Sequence, residues 1–287
     1  MLRCAVRLVG LLLPCVALAQ APPSPAHVPP GPVPPAPASL HATYDTFAAG
    51  IAIANLEAGF EFGPKTYEMK LGYHTTGMVG VLFKGHQFDL VNGVWHGRQA
   101  VPSRFVGEGF WRGEDRHADI AYRQGKPIIG VLVPPNANER EPVPESMQAN
   151  TIDTLSALAE LIHVVEATGA CETTVHTYDG RRALEIQAYT VGQEMLEPTR
   201  RSSFAGKALR CDFAGRMLAG FRLGDDRERD GKPMHGSAWL APAAAGGPLL
   251  PVRMVFETKW FGDATMYLTS VGPGSDLRVA EGSHRGN

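Results

Sequence analysis

The sequence predicts a mainly β protein: a long antiparallel meander curved into a half-barrel or open barrel, with one principal α-helix packed on its concave side. Three observations carry that expectation. Apolar residues alternate with polar ones at period two along most of the chain, turn-forming dipeptides separate the alternating runs, and a single stretch switches to helical spacing.

The strands come first. Leu56, Ala58, Phe60 and Phe62 share one face, with Asn55, Glu57 and Glu61 on the other. Tyr67, Met69, Leu71 and Tyr73 alternate in the same way with Glu68, Lys70 and His74. Both runs read as half-buried antiparallel strands. Residues 88–96, 102–111, 117–123 and 127–133 continue the series, with Asn92-Gly93 and Gln124-Gly125 supplying turn chemistry. In the second half, 173–178 leads through the hairpin signal Asp179-Gly180 into 182–191. Leu209, Cys211 and Phe213, then Leu250, Val252, Met254 and Phe256, then 265–271 complete about a dozen strands.

One helix interrupts them. After a proline-punctuated loop at 134–147, Asn150 is expected to cap a helix with Asp153 at its third position, where a carboxylate favours the positive end of the dipole. Ile152, Leu155, Leu158, Leu161, Ile162 and Val165 form an apolar stripe, and Gly169 ends it. An amphipathic helix inside a meander must bury its stripe against the sheet, and the concave side is where it does so economically.

The chain divides into an export segment (1–19), a proline-rich spacer (20–39), a single β-rich domain (40–271) and a flexible tail (272–287). Arg3 and Arg7 precede an apolar stretch too short for a bilayer, which needs roughly 20 apolar residues, and Ala17-Leu18-Ala19 has the small-x-small form of a signal peptidase site. Cleavage after Ala19 is expected to leave a soluble protein outside the cytoplasm. The spacer holds nine prolines between Pro22 and Pro37. It reads as a polyproline II tether, with docking to an envelope protein partner as the sharper alternative. The glycines at 272, 274, 282 and 286 suggest that the tail frays.

Net charge is −2 with the signs interspersed, which points away from nucleic acid and from an anionic membrane surface. Of the four cysteines, Cys4 and Cys15 leave with the export segment. Cys171 and Cys211 remain, and an even pair in an oxidising compartment is expected to form a disulfide, because they make neither a CxxC redox motif nor a zinc knuckle.

Chemistry is harder to find. The ten histidines form no HxH or HExxH pattern, so no metal is expected. His163 reads as a partly buried, hydrogen-bonded helix residue. No GxSxG elbow exists and Gly274-Ser275-Asp276 lies in the tail, so no catalytic residue and no cofactor are expected. The run from Asp226 to Gly231 spaces its acids like a calcium loop, but two arginines interrupt it and Ser237 stands where a bidentate glutamate belongs, so it reads as a charged hairpin loop. Arg181-Arg182 is an anion-site candidate, against pairing with carboxylates such as Glu185. The better lead is aromatic: Phe60, Phe62, Trp95, Phe105 and Trp111 from the strands, with Leu158 and Ile162 from the helix, are candidate ligand-lining residues for an apolar pocket. Plain core packing is the alternative reading.

An ordered set of motifs points further. The meander is followed by Asp153-Thr154-Leu155-Ser156-Ala157-Leu158, Cys171, Tyr178-Asp179-Gly180-Arg181-Arg182, Leu209-Arg210-Cys211, Trp239-Leu240-Ala241-Pro242 and Pro251-Val252-Arg253. Together they resemble the exported bacterial family called domain of unknown function 3108 (DUF3108). That family is similar in architecture to the LolA and LolB type of periplasmic lipoprotein carriers, whose half-barrels hold acyl chains. The resemblance implies a periplasmic half-barrel and brings no catalytic residues with it. This chain has Ala183 where the pattern suggests a further basic residue, which weakens the anion-site reading of Arg181-Arg182.

The function expected from these readings is a periplasmic, non-enzymatic binding or carrier protein for an apolar or lipid-like ligand. The alternative is a structural or interaction module of the cell envelope, with a hydrolase as a third reading. An open apolar cavity of several hundred Å³ favours the carrier, and a cavity fully plugged by residues 152–165 favours the module.

Overall fold

A computed structural model describes residues 39–277, apart from 112, 203, 243–246 and 259–261. The export segment, all of the spacer but Ser39, and residues 278–287 lie outside the described residues.

The described chain runs β1 (Ser39–Ala48), β2 (Ile51–Phe62), β3 (Thr66–Thr75), α1 (Gly77–Leu82), β4 (Gly85–His96), β5 (Gln99–Trp111), β6 (Glu114–Arg123), β7 (Lys126–Val133), α2 (Thr154–Thr168), β8 (Thr173–Tyr178), β9 (Ala183–Leu196), β10 (Gly206–Ala219), α3 (Arg227–Asp230), β11 (Met234–Pro242), β12 (Leu249–Thr258) and β13 (Gly262–Pro273). All thirteen strands join one antiparallel sheet in the order β7-β6-β5-β4-β3-β2-β1-β13-β12-β11-β10-β9-β8. The first and last strands therefore pair at its middle. The sheet curls into a nearly closed barrel whose seam, between β7 and β8, is unsealed.

Hairpin chemistry sets most registers. Ala49-Gly50 and Gln124-Gly125 both take positive φ at two successive residues, as the tightest antiparallel turns require. Asn92-Gly93 departs from expectation: it lies inside β4, as a bulge opposite β5, and not at a turn. A Cβ at residue 93 would meet the Tyr67 ring and the Val101 carbonyl, so this glycine serves a close approach. The first strand escapes the sequence reading because its buried face, Leu40, Ala42, Tyr44, Thr46 and Ala48, is diluted by small and polar residues.

The principal helix occupies the concave side. Leu155, Ala159, Leu161, Ile162 and Val165 join the main core with Tyr67, Met69, Val91 and Ile120 from the strands. Burying each such apolar side chain contributes about 1.5–3 kcal/mol. The N-cap is Asp153, whose carboxylate accepts from the Ser156 amide at 2.8 Å, and not Asn150. Ile152 bridges Thr177 of β8 in parallel, with Ile152 N donating to His176 O and Tyr178 N to Ile152 O. That strand contact delays the helix by a turn. Gly169 ends it in the left-handed conformation at φ 71°.

Two further differences concern loops. The charged run after Asp226 holds one helical turn, α3, capped by the Asp226 carboxylate. The expected fraying does not begin at Gly272: β13 continues to Pro273, and Ser275 and Leu277 are buried. Gly59 has no side chain where the Ser275 backbone crosses it, which lets the tail dock against β2.

Cys171 and Cys211 are bonded, with Cα atoms 5.7 Å apart. The bridge ties the chain leaving α2 to β10. Among the described residues no helix is long and apolar enough to cross a membrane.

Candidate functional site

The helix does not fill the barrel evenly. Towards its C-terminal end, Phe60 and Ile162 are buried in the core and Phe62, Trp95 and Leu158 pack against it. Trp95 stacks on His163 at 4.1 Å between ring centroids and meets Phe62 edge-on at 6.0 Å. Glu160, buried on the same helix, accepts from Ala100 N of β5 at 2.8 Å and Thr173 Oγ1 of β8 at 3.2 Å, spanning the seam. Burial raises its carboxyl above the usual range, against those hydrogen bonds.

Around the N-terminal end of α2 a pocket of about 450 Å³ stays open. Phe105 and Trp111 line it, and they are the two sequence candidates this pocket brings together. Leu71, Tyr73, Ala118 and Leu155 complete its apolar part. Gly107 and Gly109 on β5 keep one wall flat. A Cβ at Gly107 would lie 2.7 Å from Asp89 Oδ1, and one at Gly109 would collide with Gln87.

The rest of the lining is charged, and sequence reasoning missed most of it. Arg116, Arg140, Arg181, Arg182 and Arg222 all line the pocket. Arg181 and Arg182 do not pair with Glu185. Arg182 grips Asp179 at 2.8 Å, and Arg181 reaches Glu139 at 3.1 Å while donating to Val133 O at 2.7 Å. Their turn folds back over the barrel end, which carries both side chains inward. Arg116 shares Glu139 through two bonds of 2.6 and 3.0 Å. Arg140 donates to Gly220 O at 2.7 Å, and neither Arg140 nor Arg222 closes a salt bridge among the described residues.

The protonation states follow from these contacts. The Arg116 bonds, working against burial, hold Glu139 below the usual carboxylate range. Burial opposes charge on Asp179, but Arg182 outweighs it and keeps the group low. Asp89, held by Gln87 alone, is pushed by burial up to about 6, and burial also raises Asp153. Burial, with Arg182 and Arg222 as neighbours, pushes Arg140 down to about 10.

The rim at this end is apolar. Met78, Val81, Leu82 and Phe83 of α1 and its C-cap stand exposed, Val81 at 84%. Gly85, two residues on, pairs with Trp111 of the pocket wall. Among the described residues no cluster of histidine, cysteine or carboxylate side chains has the makings of a metal site.

Comparison with known proteins adds the following. The family model described as a protein of unknown function, DUF3108, matches residues 39–269. No curated protein matches the chain. Among solved structures, a beta-barrel-like protein of domain of unknown function DUF1849 from Brucella abortus is similar at 13% identity and a TM-score of 0.48, covering 84% of this chain and 100% of that one. A Bacteroides fragilis protein with a YmcC-like fold is similar at 12% identity and a TM-score of 0.35, covering 83% and 97%.

Proposed function

The chain belongs to the DUF3108 family of proteins of unknown function, and from that premise we propose that it is a non-enzymatic binding or carrier protein of the cell envelope. Its ligand is apolar or lipid-like and enters the pocket beside the N-terminal end of α2. The observation that carries this reading is the pocket itself: beside the N-terminal end of α2 about 450 Å³ stays open, a volume typical of small-molecule sites. Phe105, Trp111, Leu71 and Leu155 supply apolar contact there. The exposed apolar residues of α1 are what an incoming acyl chain would meet first.

Residues 1–19 support export, and the Cys171–Cys211 bridge fits an oxidising periplasm. The proline-rich spacer then holds the domain at a distance from, or docks it to, an envelope partner. The interaction-module reading draws on a different observation. β7 is an edge strand with Ile128, Val131 and Val133 exposed, the kind of surface on which a partner strand can add.

Native mass spectrometry of gently purified protein tests the carrier. A lipid-sized adduct that survives deletion of residues 20–39 is the expected result. Ligand-free protein that instead captures an envelope protein through the spacer would contradict it.

A further inference from the structure

Two of the pocket arginines, Arg140 and Arg222, stand outside the salt bridges that hold the other three among the described residues. Residues 139–141 and 221–223 lie side by side as a short antiparallel pair, with Glu141 N donating to Phe221 O at 2.9 Å and Leu223 N to Glu139 O at 3.0 Å. Arg140 and Arg222 are the directly opposed residues of that pair. Opposed side chains in an antiparallel pair share one face about 5 Å apart, and like charges there repel. Neither is neutralised by a carboxylate in a salt bridge among the described residues, and both line the pocket. Arg140, Arg182 and Arg222 also line a larger outer bay of about 990 Å³, so they stand where the pocket meets solvent.

Among the residues that line the inner pocket, the cations outnumber the acids, five arginines against Asp89, Asp153 and Asp179. Arg116 engages Glu139 and, at 3.6 Å, Glu114, Arg181 engages Glu139, and Arg182 engages Asp179. Asp89 and Asp153 are the other acids in its wall, and the bay adds Asp225, Asp230, Glu257 and Asp263 against Arg229 and Lys232. The Arg116 Nε–H is buried with no acceptor among the described residues. An oxyanion between Arg140 and Arg222 would turn their repulsion into two charge-assisted contacts.

We propose that this pocket is the head-group site of an anionic amphiphile, in which Arg140 and Arg222, backed by Arg116 and Arg182, hold a phosphate or carboxylate while the apolar portion lies against Phe105 and Trp111. The proposal rests on the ligand-binding reading and names the class of ligand. It also reverses the weight given to Ala183. That residue is buried against Tyr178 and Val143, whereas the additional cations come from the loops at 139–141 and 221–223.

Calorimetric titration with dodecyl phosphate below its micelle concentration, dodecanol and inorganic phosphate, each against wild type and Arg140→Gln/Arg222→Gln, tests it. Dodecyl phosphate should bind wild type and weaken about tenfold or more in the variant, the effect of removing charged hydrogen bonds. Dodecanol should bind both proteins alike. Arg222 is exposed, so Arg222→Glu alone is the check against misfolding and should weaken dodecyl phosphate while leaving thermal stability in place. Unchanged dodecyl phosphate affinity in both variants, with dodecanol still bound, overturns the head-group site alone. Binding of no probe overturns the ligand-binding reading as well. Inorganic phosphate binding as tightly as dodecyl phosphate, with the same arginine dependence, keeps the oxyanion contacts and overturns the amphiphile.

Discussion

Asp89 shows most clearly what the pocket costs the fold. Its carboxyl is raised to about 6 by burial, with Gln87 as its hydrogen-bond donor and Asp153 and Asp179 as nearby charges. A carboxyl raised in the folded state binds its proton more tightly there than in the unfolded chain. Its contribution to stability is therefore best in acid and falls as pH rises from about 4 to about 6. Asp89→Asn, which can still accept from Gln87, should stabilise the protein, by about 1–2 kcal/mol more at pH 7 than at pH 4.5. Urea unfolding of both proteins at the two pH values measures this, and an equal gain at both would refute it. Such residues are illegible in a sequence, because Asp89 alternates on β4 like any surface acid. What could be read was the cysteine pair, through parity and compartment. Asn92-Gly93 misled because the same dipeptide serves a bulge wherever an aromatic ring, here Tyr67, needs the missing Cβ.

At the scale of elements, the helix was the most legible feature, since six apolar residues at helical spacing among strands admit one packing. Its start was misplaced because Asn150 and Asp153 are both capping residues, and only the pairing of Ile152 with β8 decides between them. The exit is secured differently. Cys171 follows the helix directly, and its amide donates to Thr190 Oγ1 at 2.8 Å, on the strand between the two bonded cysteines. The bridge closes a sequence separation of 40 residues, which in the chain-entropy model is worth about 4 kcal/mol. Replacing both cysteines with alanine should lower the melting temperature by several degrees or more, measured by circular dichroism under non-reducing conditions. An unchanged melting temperature would show that α2 is held by packing alone. β1 and α1 were invisible for opposite reasons: the buried face of β1 is diluted by alanine and threonine, and the apolar residues of α1 are exposed and obey no burial period.

Across the whole molecule, the meander, its curvature and the helix on the concave side follow from pattern, but the division of the interior does not. The lining of the pocket beside the N-terminal end of α2 depends on where the loop at 134–153 crosses the seam. That loop is anchored by Asn150 N to Gly125 O at 2.6 Å and by the 139–141 pairing with 221–223, contacts between segments with no periodic signal. So Phe105 and Trp111, which line the pocket, could be named from their strands, while Arg140 and Arg222, far apart in loops, could not. The central claim is that this pocket holds the ligand. Displacement of a fluorescent fatty acid, compared between wild type and Ala118→Trp, tests it most directly, because residue 118 lines that pocket and a large ring there fills it. Saturable binding by wild type that is lost in the variant, with the melting temperature preserved, is the predicted result; binding that survives Ala118→Trp would contradict it.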